Sequence, residues 1–321
     1  MPMISCSLTD KNERNRAMKL SRLFGSSNGL VFAATLSLPM AAFCQQNLFV
    51  SDFNDGTVKE LSSTGAKNNY FSDVSDPRGI AALAFDSHND LFAVNYDDGY
   101  IFKITPGGAQ SLFTYSPPSV NSLAIDSQDN LFAANDSLND IVKITPGGLQ
   151  SHFASVGGAG ALVFNSSGYL FAGTSTNTIV KFAPGGAESV YYSGLPYVPL
   201  SMAFDAAGDL YEADANGSIY EITASGTLHS FAMGLSGPEG LAFDSSGNLF
   251  VALAGANSID EYIGNNGILS PVPVVFASGL ASPTKLIFDD PAPVPEPSTP
   301  TLFAAGAILF SGCQWLRRRI S

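Results

Sequence analysis

Short apolar runs of four to six residues recur along the middle of the chain, each broken by Gly, Asn, Asp, Ser or Pro. The pattern repeats about every 40 residues, and a repeat of that period governs every later assignment. One run opens at Leu91 (LFAVN). Its copies open at Leu131, Leu170, Leu210 and Leu249, spaced 40, 39, 40 and 39 residues apart, and an earlier copy opens at Leu48. A second run ends each time in an acid or Asn: ALAFD at Asp86, SLAID at Asp126, ALVFN at Asn165, SMAFD at Asp205, GLAFD at Asp244 and KLIFD at Asp289. Two more runs complete each unit, giving a (GLAFD), b (LFVA), c (SIYEI) and d (LHSFA). No ten-residue stretch between 45 and 292 has a helical apolar period, so these runs read as strands. Asp-Ser-Ser-Gly-Asn between a and b, and Thr-Pro-Gly-Gly between c and d, supply the turns.

Four strands per unit, repeated, predict an all-β fold, the β-propeller. Five complete a-b-c-d sets are present, with a strands near Ala82, Ser122, Ala161, Ser201 and Gly240. An orphan b-c-d set lies at 48–72 and an orphan a strand at 285–289. Pairing the two makes a sixth blade from both ends of the domain and removes two free sheet edges. The expectation is a six-bladed β-propeller closed by a C-terminal a strand pairing with the N-terminal b-c-d strands.

The best copy, Pro238-Glu239-Gly240-Leu241-Ala242-Phe243-Asp244 followed by Gly247-Asn248-Leu249-Phe250-Val251-Ala252, resembles the NHL repeat. The resemblance covers 47–290. It implies a six-bladed propeller used most often as a binding platform, and it implies no particular chemistry.

Both ends of the chain read as addresses. Residues 1–44 resemble an export signal, with Lys19 and Arg22 ahead of the apolar run Leu30–Phe43 and cleavage expected after Cys44. Met18 is the expected translation start. Residues 291–300 are a Pro-rich spacer, and 301–321 form an apolar segment closed by Arg317, Arg318 and Arg319. Such a segment reads as a membrane helix whose Arg end stays cytoplasmic. Pro295, Glu296 and Pro297, with the helix and basic tail behind them, resemble the PEP-CTERM sorting signal. That resemblance implies a Gram-negative bacterium and an exosortase-type membrane protease as partner. It also implies transient membrane anchoring, then release to the cell surface or outside, in the company of exopolysaccharide or surface proteins. A simple membrane tether is the plainer alternative.

The net charge of −13 sharpens once it is located. Residues 45–292 carry 25 acids against seven bases, so the excess of acid lies in the repeat. An acidic domain excludes nucleic acid as a partner. All three Cys and the single Trp fall in the two end segments, so the repeat has no thiol nucleophile and no disulfide.

Candidate chemistry is sparse. The b–c loops carry Asp97, Asp98, Asp136 and Asp214 on what should be the channel face. Carboxylates there suit a hard cation such as Ca²⁺, but Asp, Asn and Gly are also what tight turns require. The first residue of each a strand should point into the channel. Five residues before each terminal acid or Asn stand Ala81, Asn121, Gly160, Leu200, Glu239 and Thr284, of which only Asn121 and Glu239 are strong oxygen ligands. Gluconolactonase-type propellers, which this architecture resembles, hold a divalent metal with Glu, Asn and Asp at this place. Arg78 could hold an anion near the mouth or pair with Asp76. No His pair has metal-ligand spacing. The expectation is therefore a non-catalytic binding or scaffold module without a resident cofactor. A Ca²⁺-dependent lactonase or hydrolase using Glu239 and Asn121 is the alternative.

Overall fold

A computed structural model of the chain describes residues 46–72, 79–116 and 118–289. Their strands form six four-stranded antiparallel sheets. Blade one is β26 (Pro283–Phe288), β1 (Leu48–Asp52), β2 (Thr57–Leu61) and β3 (Lys67–Ser72); blade two is β4 (Ile80–Phe85), β5 (Leu91–Asn95), β6 (Tyr100–Ile104) and β7 (Gln110–Tyr115). Blade three is β8 (Val120–Ile125), β9 (Leu131–Asn135), β10 (Asp140–Ile144) and β11 (Gln150–Ser155); blade four is β12 (Ala161–Phe164), β13 (Leu170–Thr174), β14 (Thr178–Phe182) and β15 (Glu188–Ser193). Blade five is β16 (Pro199–Phe204), β17 (Leu210–Asp214), β18 (Ile219–Ile222) and β19 (Leu228–Ala232). Blade six is β20 (Pro238–Phe243), β21 (Leu249–Leu253), β22 (Ser258–Tyr262) and β25 (Val274–Ser278). Between β22 and β25 a hairpin of β23 (Gly264–Asn265) and β24 (Ile268–Leu269) is inserted, which the repeat pattern does not foretell. Each a strand packs against the a strands of its two neighbours, so the six sheets form a closed six-bladed β-propeller.

Closure occurs as the pattern predicts. Leu48 pairs with Phe288, Phe49 with Ile287 and Val50 with Leu286. Asn47 N donates to Asp289 Oδ1 at 2.6 Å, and Ala281 N to Asp52 Oδ1 at 2.5 Å. Lys67 Nζ reaches from β3 to the Ser278 and Gly279 carbonyls of blade six. These bonds join residues more than 200 apart in sequence.

The second residue of every b strand is aromatic, and it fastens blade to blade. Phe132 meets Phe153 of its own blade at 4.9 Å and Phe164 of the next at 5.2 Å, both edge to face. Phe171 repeats this with Tyr191 and Phe204, and Tyr211 with Phe231 and Phe243. The last member of the series, Phe250 with Phe288 at 5.1 Å, joins blade six to blade one. Such pairs add about 0.5–1.5 kcal/mol each beyond the area they bury.

The acid or Asn that ends five of the six a strands is turn chemistry, while Asp289 closes the ring instead. Asp244 Oδ1 accepts from Ser246 N and Asn248 N, and Asp86, Asp126, Asn165 and Asp205 do the same in their blades. The turn needs a positive φ three residues after the acid. Gly168, Gly208 and Gly247 supply it in three blades, Asn89 and Asp129 in two. Among the described residues no helix is long and apolar enough to cross a membrane, and the expected span at 301–321 lies outside them, as do the signal segment 1–44 and Pro295, Glu296, Pro297, Arg317, Arg318 and Arg319.

Candidate functional site

Five of the six a strands carry a β-bulge near their first residues. In β8 the pairing runs Val120 to Asn135 and then Ser122 to Ala134, which leaves Asn121 as the extra residue. Ala81, Leu200 and Glu239 are the extra residues of β4, β16 and β20 in the same way. In β26 Thr284 and Lys285 together span the irregularity. A bulge turns a side chain out of the ladder and re-aims it. All six positions, Ala81, Asn121, Gly160, Leu200, Glu239 and Thr284, line one cavity of about 480 Å³ at the channel mouth, with Phe53, Asn54, Tyr96, Ser282 and Lys285. The volume is that of a small-molecule site.

Few of these residues bring free polar groups. Thr284 Oγ1 is bonded to Ser51 Oγ at 2.8 Å. Asn121 Oδ1 is buried and has no hydrogen-bond partner within the chain. A buried amide oxygen left unpaired costs about 1–3 kcal/mol. The Glu239 carboxyl is half-buried, and burial raises it above the usual carboxylate range even though the Lys285 charge pulls the other way.

Lys285 is the cation of this site. Its Nζ crosses from blade one to donate to the Leu200 carbonyl of blade five at 2.8 Å and the Glu239 carbonyl of blade six at 3.2 Å. Burial pulls its ammonium down to about 8, against an opposing pull from Glu239. The side chain still touches open space, because Leu200 and Lys285 line both the mouth cavity and a second cavity of about 470 Å³. Lys285 thus stands at the boundary of the two.

The donor set does not fit a calcium ion. Ca²⁺ takes six to eight oxygens, and Asn121 and Glu239 are the two side chains on the ring able to supply strong ones. The Lys285 ammonium lines the same cavity and would repel a divalent cation. Among the described residues no cluster of three or more His, Cys, Asp or Glu has metal-holding geometry.

The loop carboxylates act mainly as turn caps. Asp214 is fully buried at the end of β17, its Oδ1 accepting from Asn216 N and Ser218 N. Asp98 Oδ1 accepts from Tyr100 N, and Asp136 Oδ1 from Ser137 Oγ. Asp97 is exposed, and Asn95 Oδ1 caps its backbone N–H. None of the four lines the mouth cavity. Arg78 and Asp76 lie outside the described residues. His88 is exposed in an a–b turn, and His152 on the edge strand β11 contacts Asp140 at 2.7 Å.

Two residues escaped the sequence reading. Lys285 lies one position beyond Thr284. The matching positions in the other five a strands hold Ala82, Ser122, Ala161, Ser201 and Gly240, so a lysine in a column of small residues was the available signal. Glu212 is the third residue of β17, where the other b strands hold Val50, Ala93, Ala133, Ala172 and Val251. It is fully buried, and neither carboxyl oxygen has a hydrogen-bond partner.

No protein-family model matches the chain, and no curated protein matches it in sequence. Solved structures do match it in fold. A chain of a nidogen/laminin complex aligns over 76% of this chain and 98% of its own length, with 14% identity and a TM-score of 0.67. Virginiamycin B lyase from Staphylococcus aureus aligns over 77% and 92%, with 16% identity and a TM-score of 0.57. A putative gluconolactonase aligns over 66% and 82%, with 14% identity and a TM-score of 0.55. At these identities the likeness is one of fold alone.

Proposed function

We propose that the chain is an exported, non-catalytic propeller that binds a small polar ligand at the channel mouth. One observation carries the reading: bulged a strands bring Asn121 and Glu239 to one cavity of about 480 Å³, and Lys285 lines the same cavity. An amide, a carboxyl and an amine lining one cavity recognise polar groups without supplying the metal or a paired nucleophile and base that hydrolysis would use. The test is a thermal-shift screen of the full chain against saccharides, polyols and small carbonyl compounds. A ligand that raises the melting temperature of the native protein and fails to do so in Asn121→Leu supports binding at the mouth. Calcium-dependent lactone turnover that Glu239→Gln abolishes would replace this reading with the hydrolase.

The proposal of export and sorting rests on the sequence of the two end segments. Processing after Cys44 should be visible by N-terminal mapping of the secreted protein. Replacing Pro295, Glu296 and Pro297 with Ala should leave the protein in the membrane fraction if an exosortase-type protease reads them. Cell-surface or matrix partners, exopolysaccharide among them, follow from the same segments.

A further inference from the structure

We propose that the ligand of the channel mouth is a neutral pyranose sugar, held with one face of its ring against Phe53 and Tyr96 and with its hydroxyls toward Asn121 and Glu239. The proposal rests on the binding reading above and names its ligand class.

The first residue of each b–c loop does one backbone duty in all six blades. Phe53, Tyr96, Asp136, Ser175, Ala215 and Ala254 each donate their N–H to a carbonyl of the d–a loop that leads into their own blade. Phe53 N reaches Ser282 O at 3.1 Å, and Tyr96 N reaches Gly79 O at 2.7 Å. The duty uses backbone alone and leaves the choice of side chain open. Four blades place Asp, Ser or Ala there, whereas blades one and two place Phe53 and Tyr96. Both rings are half-buried and both line the mouth cavity, and none of the other four residues does. Among the described residues neither ring joins the aromatic pairs that fasten one blade to the next. Two adjacent blades therefore give the mouth an aromatic wall that the repeat does not require.

The polar groups flank that wall. Blade order runs six, one, two, three, so Glu239 of blade six stands on one side of Phe53 and Tyr96, and Asn121 of blade three on the other. Across the cavity Gly160 and Leu200, of blades four and five, bring no polar side chain. A pyranose matches this division. One face of its ring is a patch of slightly positive C–H bonds, which packs on the negative face of an aromatic ring. Its edge carries hydroxyls, each both donor and acceptor, which a carboxyl and an amide can both satisfy. Glu239 and Lys285 are the charged side chains of the lining, one of each sign, so the cavity as a whole offers no counter-charge to an ionic ligand. The acidic domain around it repels anions further. A cavity of about 480 Å³ takes one or two sugar rings.

The test titrates the full chain with methyl β-glucoside, methyl β-galactoside, methyl α-mannoside and cellobiose, following the ligands by saturation-transfer NMR. Sorbitol and gluconate are the comparisons: sorbitol has the hydroxyls without the rigid ring face, and gluconate adds a negative charge. At least one pyranose should bind about tenfold or more tighter than either, with saturation concentrated on the C–H protons of one ring face. Phe53→Ala and Tyr96→Ala should each weaken that sugar about three- to tenfold, the loss of one stacked ring, and Tyr96→Phe should keep its affinity. Tyr197→Ala removes an exposed tyrosine of a d–a loop that does not line the cavity, and it should leave the affinity unchanged. No binding by any of the four sugars, or equal affinity for sorbitol, overturns the proposal in the native protein and needs no variant to interpret. Affinity lost in Tyr197→Ala but kept in Phe53→Ala and Tyr96→Ala overturns it as well. If the sugars fail while another compound from the thermal-shift screen loses its effect in Asn121→Leu, the sugar is overturned and the binding reading stands. If nothing binds at the mouth, the binding reading itself falls.

Discussion

Replacing Glu212 with Val should stabilise the propeller, and more so as the pH rises. Glu212 occupies a position that five other blades give to Val or Ala with no exposure to solvent. Its carboxyl oxygens are buried without a hydrogen-bond partner, and burial first, then the charge of Asp214, pushes it up to about 8. In the unfolded chain the same carboxyl loses its proton near 4.5. Between those values the native protein holds a proton that the unfolded chain has released. The native state binds more protons, so stability falls as the pH rises, by about 1.4 kcal/mol per pH unit. The stability present below pH 4.5 is therefore lost progressively up to about pH 8, with a total of about 5 kcal/mol across the window. Val has no proton to hold and removes the term. For a domain of this size 1 kcal/mol moves the melting temperature by about 2–4 °C, so the variant should melt about 10 °C or more above the native protein at pH 8. At pH 4.5 the gap should shrink to the gain from removing an unpaired polar group, about 1–3 kcal/mol. Glu212→Gln gives the control, since it keeps the shape and the unpaired polar atoms but not the titration. Calorimetric melting of all three proteins from pH 4.5 to 8 decides the matter. The difference between native protein and variant isolates this one group from the other carboxyls. A gap that stays constant across the range refutes the assignment of a buried, titrating Glu212.

Other consequences are testable with the same melting assay. Deleting residues 283–289 removes the a strand of blade one, with buried Leu286 and the Phe250–Phe288 contact, and should lower the melting temperature by more than about 10 °C. Gly240→Val puts a side chain against the Thr284 carbonyl where blade six approaches blade one, and should cost about 3 kcal/mol or more, against little effect for Gly208→Asn at an open turn. Adding calcium, or removing it with a chelator, should leave the melting temperature unchanged. A rise of several degrees with calcium would show that Asn121 and Glu239 take a metal despite Lys285.

The fold was legible because a propeller writes each structural duty six times. The aromatic at the second position of each b strand, the acid or Asn that caps each a–b turn and the turn glycine each form a column, and the columns give strand order and blade number. The orphan strand at 285–289 had one consistent partner, so closure could be deduced as well. The ring of six positions at the mouth was legible for the same reason. What the pattern hides is geometry that breaks the ladder. A bulge adds no distinctive residue, so nothing in the sequence announced that Thr284 and Lys285 would share one irregularity, or that a lysine counted on the wall of blade one would reach carbonyls in blades five and six. The hairpin at 264–269 was equally silent, because Gly-Asn-Asn-Gly reads as an ordinary turn.

The same columns also show where chemistry resides. A residue that agrees with its five counterparts serves the blade, and its loss should be felt as stability. A residue that departs from them is free of that duty, and if it is also polar and buried it carries a cost that the fold does not require. By that measure the acidic loops are turn chemistry, since Asp214, Asn95 and Asn135 do one job in three blades. Glu212 and Lys285 are the departures. Glu212 is sealed from solvent in the core, so its cost appears only in stability. Lys285 opens onto two cavities, so a ligand can use what its burial costs. That difference in access is why the binding reading rests on Lys285, and why Glu212 can be replaced at a gain in stability without touching the mouth.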